Sequence, residues 1–153
     1  MSALVVSIQT VAHDWDSFSA TQQADWLERY GTKEAAVATL GLAPQWAEIV
    51  SLALYDVDRG QGMLYAAEEV SSELLGGSWQ FSRTTEVEAL QRLWDGLQHY
   101  VVLATAGGRR FTIPFLYHRS VAHRLTPPLE WPVPRELSRQ RVPYHVFIRE
   151  ACH

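Results

Sequence analysis

Short apolar, β-branched runs alternate with polar turns along this chain, and the period within each run predicts its element. Ala3-Leu4-Val5-Val6-Ser7-Ile8-Gln9-Thr10 reads as a buried first strand. Between residues 19 and 40 the period becomes helical. Ser19 or Thr21 can cap a helix from Gln22 to Tyr30 that places Trp26, Leu27 and Tyr30 on one face. A second short helix covers Lys33 to Leu40 and stops at Gly41. Ile49 to Tyr55 alternates around Val50, Leu52 and Leu54. The turn chemistry of Asp58-Arg59-Gly60-Gln61-Gly62 then leads to a hairpin partner from Met63 to Ala67.

Beyond a Gly/Ser-containing loop over residues 71–78, Trp79-Gln80-Phe81 forms a brief strand. Thr84-Thr85-Glu86-Val87-Glu88 opens a helix with hydroxyl caps and early acids, which suit the positive end of the helix dipole, and Leu90, Leu93 and Leu97 continue it. Val101 to Ala104 is a buried strand of the kind that pairs with a parallel neighbour. Gly107-Gly108 breaks the chain. Phe111 to Leu125 is helical, with Pro114 tolerated near its start. Residues 126–143 hold five prolines and form an extended loop, and Tyr144 to Ile148 is a last strand. This order predicts an α/β fold, a mixed sheet with helices on both faces.

Composition narrows the class. The 153 residues are 47% hydrophobic and 20% charged, which fits one globular domain and excludes global disorder. No apolar run approaches the roughly 18 residues of a membrane span, the N-terminus has no signal-peptide pattern, and the single Cys152 cannot close an internal disulfide. A cytoplasmic setting follows as the expectation. Charge is uneven: residues 1–106 carry 5 basic against 14 acidic side chains, a balance of −9, whereas residues 107–153 carry 8 arginines against 3 glutamates, a balance of +5. A basic third on an acidic body suits an anionic partner, because local sign steers association.

Three stretches carry a family resemblance. Val5-Val6-Ser7-Ile8-Gln9-Thr10 stands where the family has a strand reading Asp-Ile-Glu-Thr. Leu40-Gly41-Leu42-Ala43-Pro44-Gln45-Trp46-Ala47-Glu48-Ile49-Val50 is similar to its Leu-Ser-Pro … Gly-Glu-Ile-Val stretch. Gly107-Gly108-Arg109-Arg110-Phe111-Thr112-Ile113-Pro114-Phe115-Leu116, continuing into His118-Arg119, resembles Asn-Gly-Arg-x-Phe-Asp-Leu-Pro-Phe-Leu. In order and spacing the chain resembles the predicted 3'–5' exonucleases related to the proofreading domain of family-B DNA polymerases, of ribonuclease H-like fold. The resemblance implies a single domain over residues 1–153, truncated at its C-terminus and lacking the family's C-terminal helices.

In that family four carboxylates hold two magnesium or manganese ions, which generate hydroxide and stabilise the leaving oxygen. Two of the carboxylates come from alternate residues of the first strand, which share a sheet face. The corresponding residues here are Ser7 and Gln9, and the third position is Thr112. The fourth, from a Tyr-x-x-x-Asp helix, has no counterpart, and Phe147 stands where the last strand usually has Asp. Hydroxyls and an amide carry no charge for a hard cation, so no metal cofactor is expected and no catalytic residue is assigned.

Other constellations weigh less. Asp14 with Asp16, and Asp56 with Asp58, are turn acids suited to local hydrogen bonds. His118 and His123 lack zinc-ligand spacing. Cys152 beside His153 sits at a terminus that would not hold a nucleophile's geometry. Trp26, Trp46, Trp79 and Trp94 suit core packing, while Trp131, between prolines, is the ring most able to stack on a base. Arg109, Arg110, Arg119 and Arg124, with His118, surround the helix facing the ancestral cleft and are the candidate phosphate contacts. The expectation is a catalytically degenerate exonuclease-like domain that binds nucleic acid or protein without hydrolysis. Its partners would be single-stranded nucleic acid, another protein or a second copy, and no membrane. The alternatives are an active metal-dependent 3'–5' exonuclease on single-stranded DNA or RNA with rearranged ligands, or a structural protein completed by a partner.

Overall fold

The computed structural model describes residues 2–71, 75–108, 110–128 and the strand at 144–148. Trp131, Cys152, His153 and Arg109 lie outside the described residues, as does the side chain of Phe147. The elements run β1 (Ala3–Ala12), a 3-10 turn (Trp15–Ser17), α1 (Ala20–Tyr30), α2 (Lys33–Leu40), β2 (Ala47–Asp56), β3 (Gln61–Ala66), β4 (Trp79–Arg83), α3 (Glu86–Leu97), β5 (Val102–Ala106), α4 (Thr112–Ala122) and β6 (Tyr144–Ile148).

The six strands form one sheet in the order β4-β3-β2-β1-β5-β6. β2 pairs antiparallel with both β1 and β3, and the other pairings are parallel. This is the α/β arrangement of a ribonuclease H-like sheet: a meander into β3, then helical crossovers to strands added beside β1. The brief strand read at Trp79–Phe81 is a five-residue edge strand parallel to β3.

Local chemistry explains the helix limits. Ser19 and Thr85 each form a reciprocal capping box, with Gln22 and Glu88 respectively. Thr32 caps α2, which ends at Gly41 as its sequence predicts. α4 has no side-chain cap. Gly107, at a φ of 58°, makes the left-handed turn that lets Phe111 and Ile113 bond back to the carbonyls of Gly107 and Gly108. α4 also stops before Leu125, because Arg124 takes a left-handed φ of 59° and the Leu125 amide returns to the Ser120 carbonyl.

Two apolar clusters follow from strand alternation. Leu4 and Val6 on β1, Leu52 on β2 and Leu103 on β5 turn to one face, where α3 supplies Leu90, Leu93, Trp94 and Leu97 and α4 supplies Ile113, Phe115 and Leu116. The Trp94 indole donates to the buried Ser120 hydroxyl at 2.9 Å, tying the two helices together. The second cluster, of Trp15, Trp26, Ala36 and Leu40 with Phe18, Trp46 and Ala12, gathers α1 and α2 at the far end of β1. Leu27 does not join it and is 40% exposed. Val50 is also exposed, contrary to the alternation read from the sequence. A register shift opposite Gln9 and Thr10 takes Val50 out of the pairing and turns Ile49 into the core instead.

Thr84 is buried between β4 and α3, and among the described residues its hydroxyl has no hydrogen-bond partner. Thr84→Val keeps the shape and removes the desolvated hydroxyl. It is expected to stabilise the protein by about 1 kcal/mol, seen as a Tm rise of about 2–4 °C. A fall in Tm would show that the hydroxyl is satisfied in solution.

Candidate functional site

Ser7 and Gln9 lie on β1 with alternate neighbours Leu4, Val6 and Ile8 turned to the core, so both project from the opposite sheet face and are exposed. That face is built of half-buried Val5, Ala53, Tyr55, Leu64 and Phe81. Gln9 Oε1 accepts from the Ser51 hydroxyl at 3.3 Å. Thr112, the first residue of α4, is buried, and its hydroxyl donates to the Ala106 carbonyl at 3.1 Å, closing the turn out of β5. β5 runs beside β1, with Val6 opposite Thr105, so the turn leaves the sheet at the end toward which Ser7 and Gln9 point along the chain.

The residues at the family's three metal positions do not fit a pair of hard divalent cations. Two are neutral and exposed, the third is a buried hydroxyl already committed to a carbonyl, and none supplies the anionic oxygen that such ions select. Among the described residues, no three His, Cys, Asp or Glu side chains come together where a metal could be held. The turn acids act locally: Asp14 accepts from the Asp16 amide, and Asp56 accepts from the Arg59 amide and the Tyr100 hydroxyl.

The candidate phosphate contacts divide. Arg110, in the turn before α4, is exposed, and so are His118 on α4 and Arg124 just after it. The eleven residues of α4 separate Arg110 from Arg124 by about 16 Å. Arg124 is the one non-glycine residue with positive φ among the described residues, and it holds a charged side chain outward where glycine would be less strained.

Arg119 is a correction. Its side chain is buried, and its guanidinium grips the Glu86 carboxylate through Nε at 2.8 Å and Nη2 at 2.5 Å, with Nη1 donating to the Pro44 carbonyl at 3.3 Å. It therefore has no donor free to face a strand. Glu86 also accepts from the Ile49 amide at 2.8 Å, and His123 Nε2 stands 2.6 Å from its other oxygen. Burial pushes the Glu86 pKa up, but the bonds from Arg119, His123 and Ile49 outweigh it, and the pKa lies below its ordinary value. The same Glu86 bonds raise that of Arg119. This cluster joins the start of β2, the first turn of α3 and the last turn of α4. Its members are 33 and 37 residues apart, a separation that no periodicity reports. The one sequence signal was an arginine and a histidine four apart in an otherwise apolar helix.

No family model and no curated protein matches the sequence. Among solved structures, the chain is similar to the family B DNA polymerase from the hyperthermophilic archaeon Pyrobaculum calidifontis, with 17% identity and a TM-score of 0.44. The similarity covers 81% of this chain and 11% of the polymerase chain, so this chain spans only a small part of that protein's length. Among the described residues, no helix is long and apolar enough to cross a membrane.

Proposed function

We propose that this chain is a non-hydrolysing relative of 3'–5' exonucleases, a ribonuclease H-like domain that holds single-stranded nucleic acid without cutting it. The observation that carries the reading is the chemistry at the end of β1 and the start of α4. Ser7, Gln9 and Thr112 stand where the resemblance places the metal-binding acids, and none can carry negative charge there. Without paired cations there is no means of activating water or stabilising a leaving oxygen. What remains at this edge is exposed basic side chains, Arg110 and, along α4, His118 and Arg124. Arginine forks bind phosphate oxygens without reading sequence, so the expected binding is weak, salt-dependent and indifferent to base order.

The test uses a labelled single-stranded oligonucleotide with magnesium or manganese titrated in. The oligonucleotide is expected to stay intact while binding weakens with salt. Arg110→Ala with Arg124→Ala is expected to lower the slope of log affinity on log salt by about 2, or about 1 per lost phosphate contact. Metal-dependent shortening of the strand, or binding indifferent to salt, would refute the proposal.

A further inference from the structure

At the opposite end of the strands from Gln9, on the face covered by α3, a cavity of about 320 Å³ opens between the ends of β2, β3 and β4 and the last turns of α3. Leu4, Leu54 and Met63, all at the edge of the main core, form its apolar floor. Its walls are polar. Arg59 and Arg92 stand at the mouth, Gln61, Gln80 and Ser78 line one side, and Tyr65 and Tyr100 present rings. The one acid among the lining residues is Asp56, and it is already engaged by the Arg59 amide at 2.9 Å, the Tyr100 hydroxyl at 2.8 Å and the Arg59 guanidinium at 3.7 Å. The cavity is therefore locally positive, although residues 1–106 carry a balance of −9.

A glycine supplies a second, independent observation. Gly96 lies inside α3 and lines the cavity, and a Cβ built on it would meet nothing within 4 Å. It has no positive φ to require glycine. A glycine inside a helix costs about 1 kcal/mol relative to alanine, so neither the backbone nor close packing accounts for its presence. What the missing side chain leaves is space within the cavity.

We propose that this cavity is a binding site for a nucleotide-type anion, with its phosphate on Arg59 and Arg92 and its planar body on the floor of Leu54 and Met63. Guanidinium forks match phosphate oxygens two at a time, and the Gln61 and Gln80 amides each offer both donors and an acceptor to the edge of a base. The volume lies at the small end of ligand sites, about 300 to 1,000 Å³, which suits one nucleotide. The site is independent of the strand-binding edge at Ser7 and Arg110, on the other side of the sheet's length.

Calorimetric titration of the full chain with AMP, with inorganic phosphate, and with short oligonucleotides bearing or lacking a 5'-phosphate tests the site. AMP or the phosphorylated oligonucleotide is expected to saturate one site at least tenfold more tightly than phosphate alone. Whichever of the two binds tighter identifies a free nucleotide or a strand end as the source. Arg92→Met is expected to weaken binding at least tenfold. Gly96→Leu fills the space and is expected to abolish binding while leaving Tm unchanged or higher, so its effect cannot be ascribed to unfolding. Arg110→Ala with Arg124→Ala, which tests the strand-binding edge, is expected to leave AMP affinity unchanged. The proposal fails if AMP and the phosphorylated oligonucleotide both fail to saturate, if phosphate alone binds as tightly as they do, or if Gly96→Leu binds as the parent does.

Discussion

Arg119→Met is expected to destabilise the protein by about 3–5 kcal/mol, because it leaves the Glu86 carboxylate buried without its counter-charge. Both side chains are about nine-tenths buried, so water cannot take over the lost bonds. Methionine fills the stem of arginine but donates nothing to Glu86 or to the Pro44 carbonyl. Adding Glu86→Gln is expected to recover much of the loss. The amide oxygen still accepts from the Ile49 N–H, and the unpaired charge is gone. Chemical denaturation of the two single variants and the double variant gives the coupling directly. Additive losses would show that the pair contributes nothing beyond its separate contacts.

The same cluster has a pH signature. The Glu86 pKa is depressed in the folded state, so the protein gains stability from it at pH values above the ordinary carboxylate value of 4.5. That stability fades as pH falls through the lower folded value, where the proton that loosens Arg119 is taken up. The Arg119→Met, Glu86→Gln double variant is expected to lose less of its Tm than the parent between neutral and acid pH. An identical acid limb in the two proteins would contradict the assignment.

Gly62→Ala is the second large effect, expected to cost about 1–3 kcal/mol through overpacking. Gly62 pairs directly opposite Trp79, whose ring lies over it and stacks on Tyr55 at a centroid distance of 5.7 Å. A Cβ at Gly62 would fall 2.3 Å from Cδ2 and 2.4 Å from Cε3 of that ring. These atoms belong to the body of the indole, so the ring must leave its stack or the edge strand must shift. The fluorescence of Trp79 should change together with the denaturation midpoint. Removing the ring as well, in Trp79→Ala with Gly62→Ala, is expected to cost less than the sum of the two single changes. Unaltered stability in Gly62→Ala would mean that the indole is not held there.

Much of the fold was legible because its causes are local. The capping boxes at Ser19 and Thr85, the stop at Gly41 and the glycine turn before α4 all act within a few residues of themselves. Strand alternation in β1 put Leu4 and Val6 inside and Ser7 and Gln9 outside. Alternation failed at Val50, since a bulge is set by the register of two strands and not by either one. The exposed arginines at 110 and 124 were legible as charge, whereas Arg119 was misread. Its partner lies 33 residues earlier, and a basic residue looks the same in a sequence whether it faces phosphate or a buried carboxylate.

By itself, then, the sequence determined the order and type of the elements, the class of fold and the absence of acids at Ser7, Gln9 and Thr112, because periodicity, capping and residue identity are properties of neighbours. Only the tertiary structure decided that Arg119 serves the core, that Trp79 needs Gly62 beneath it, and that Arg59, Arg92 and Gly96 meet around one cavity. Those are contacts between distant segments, and their energies arise only once packing has excluded water from between them.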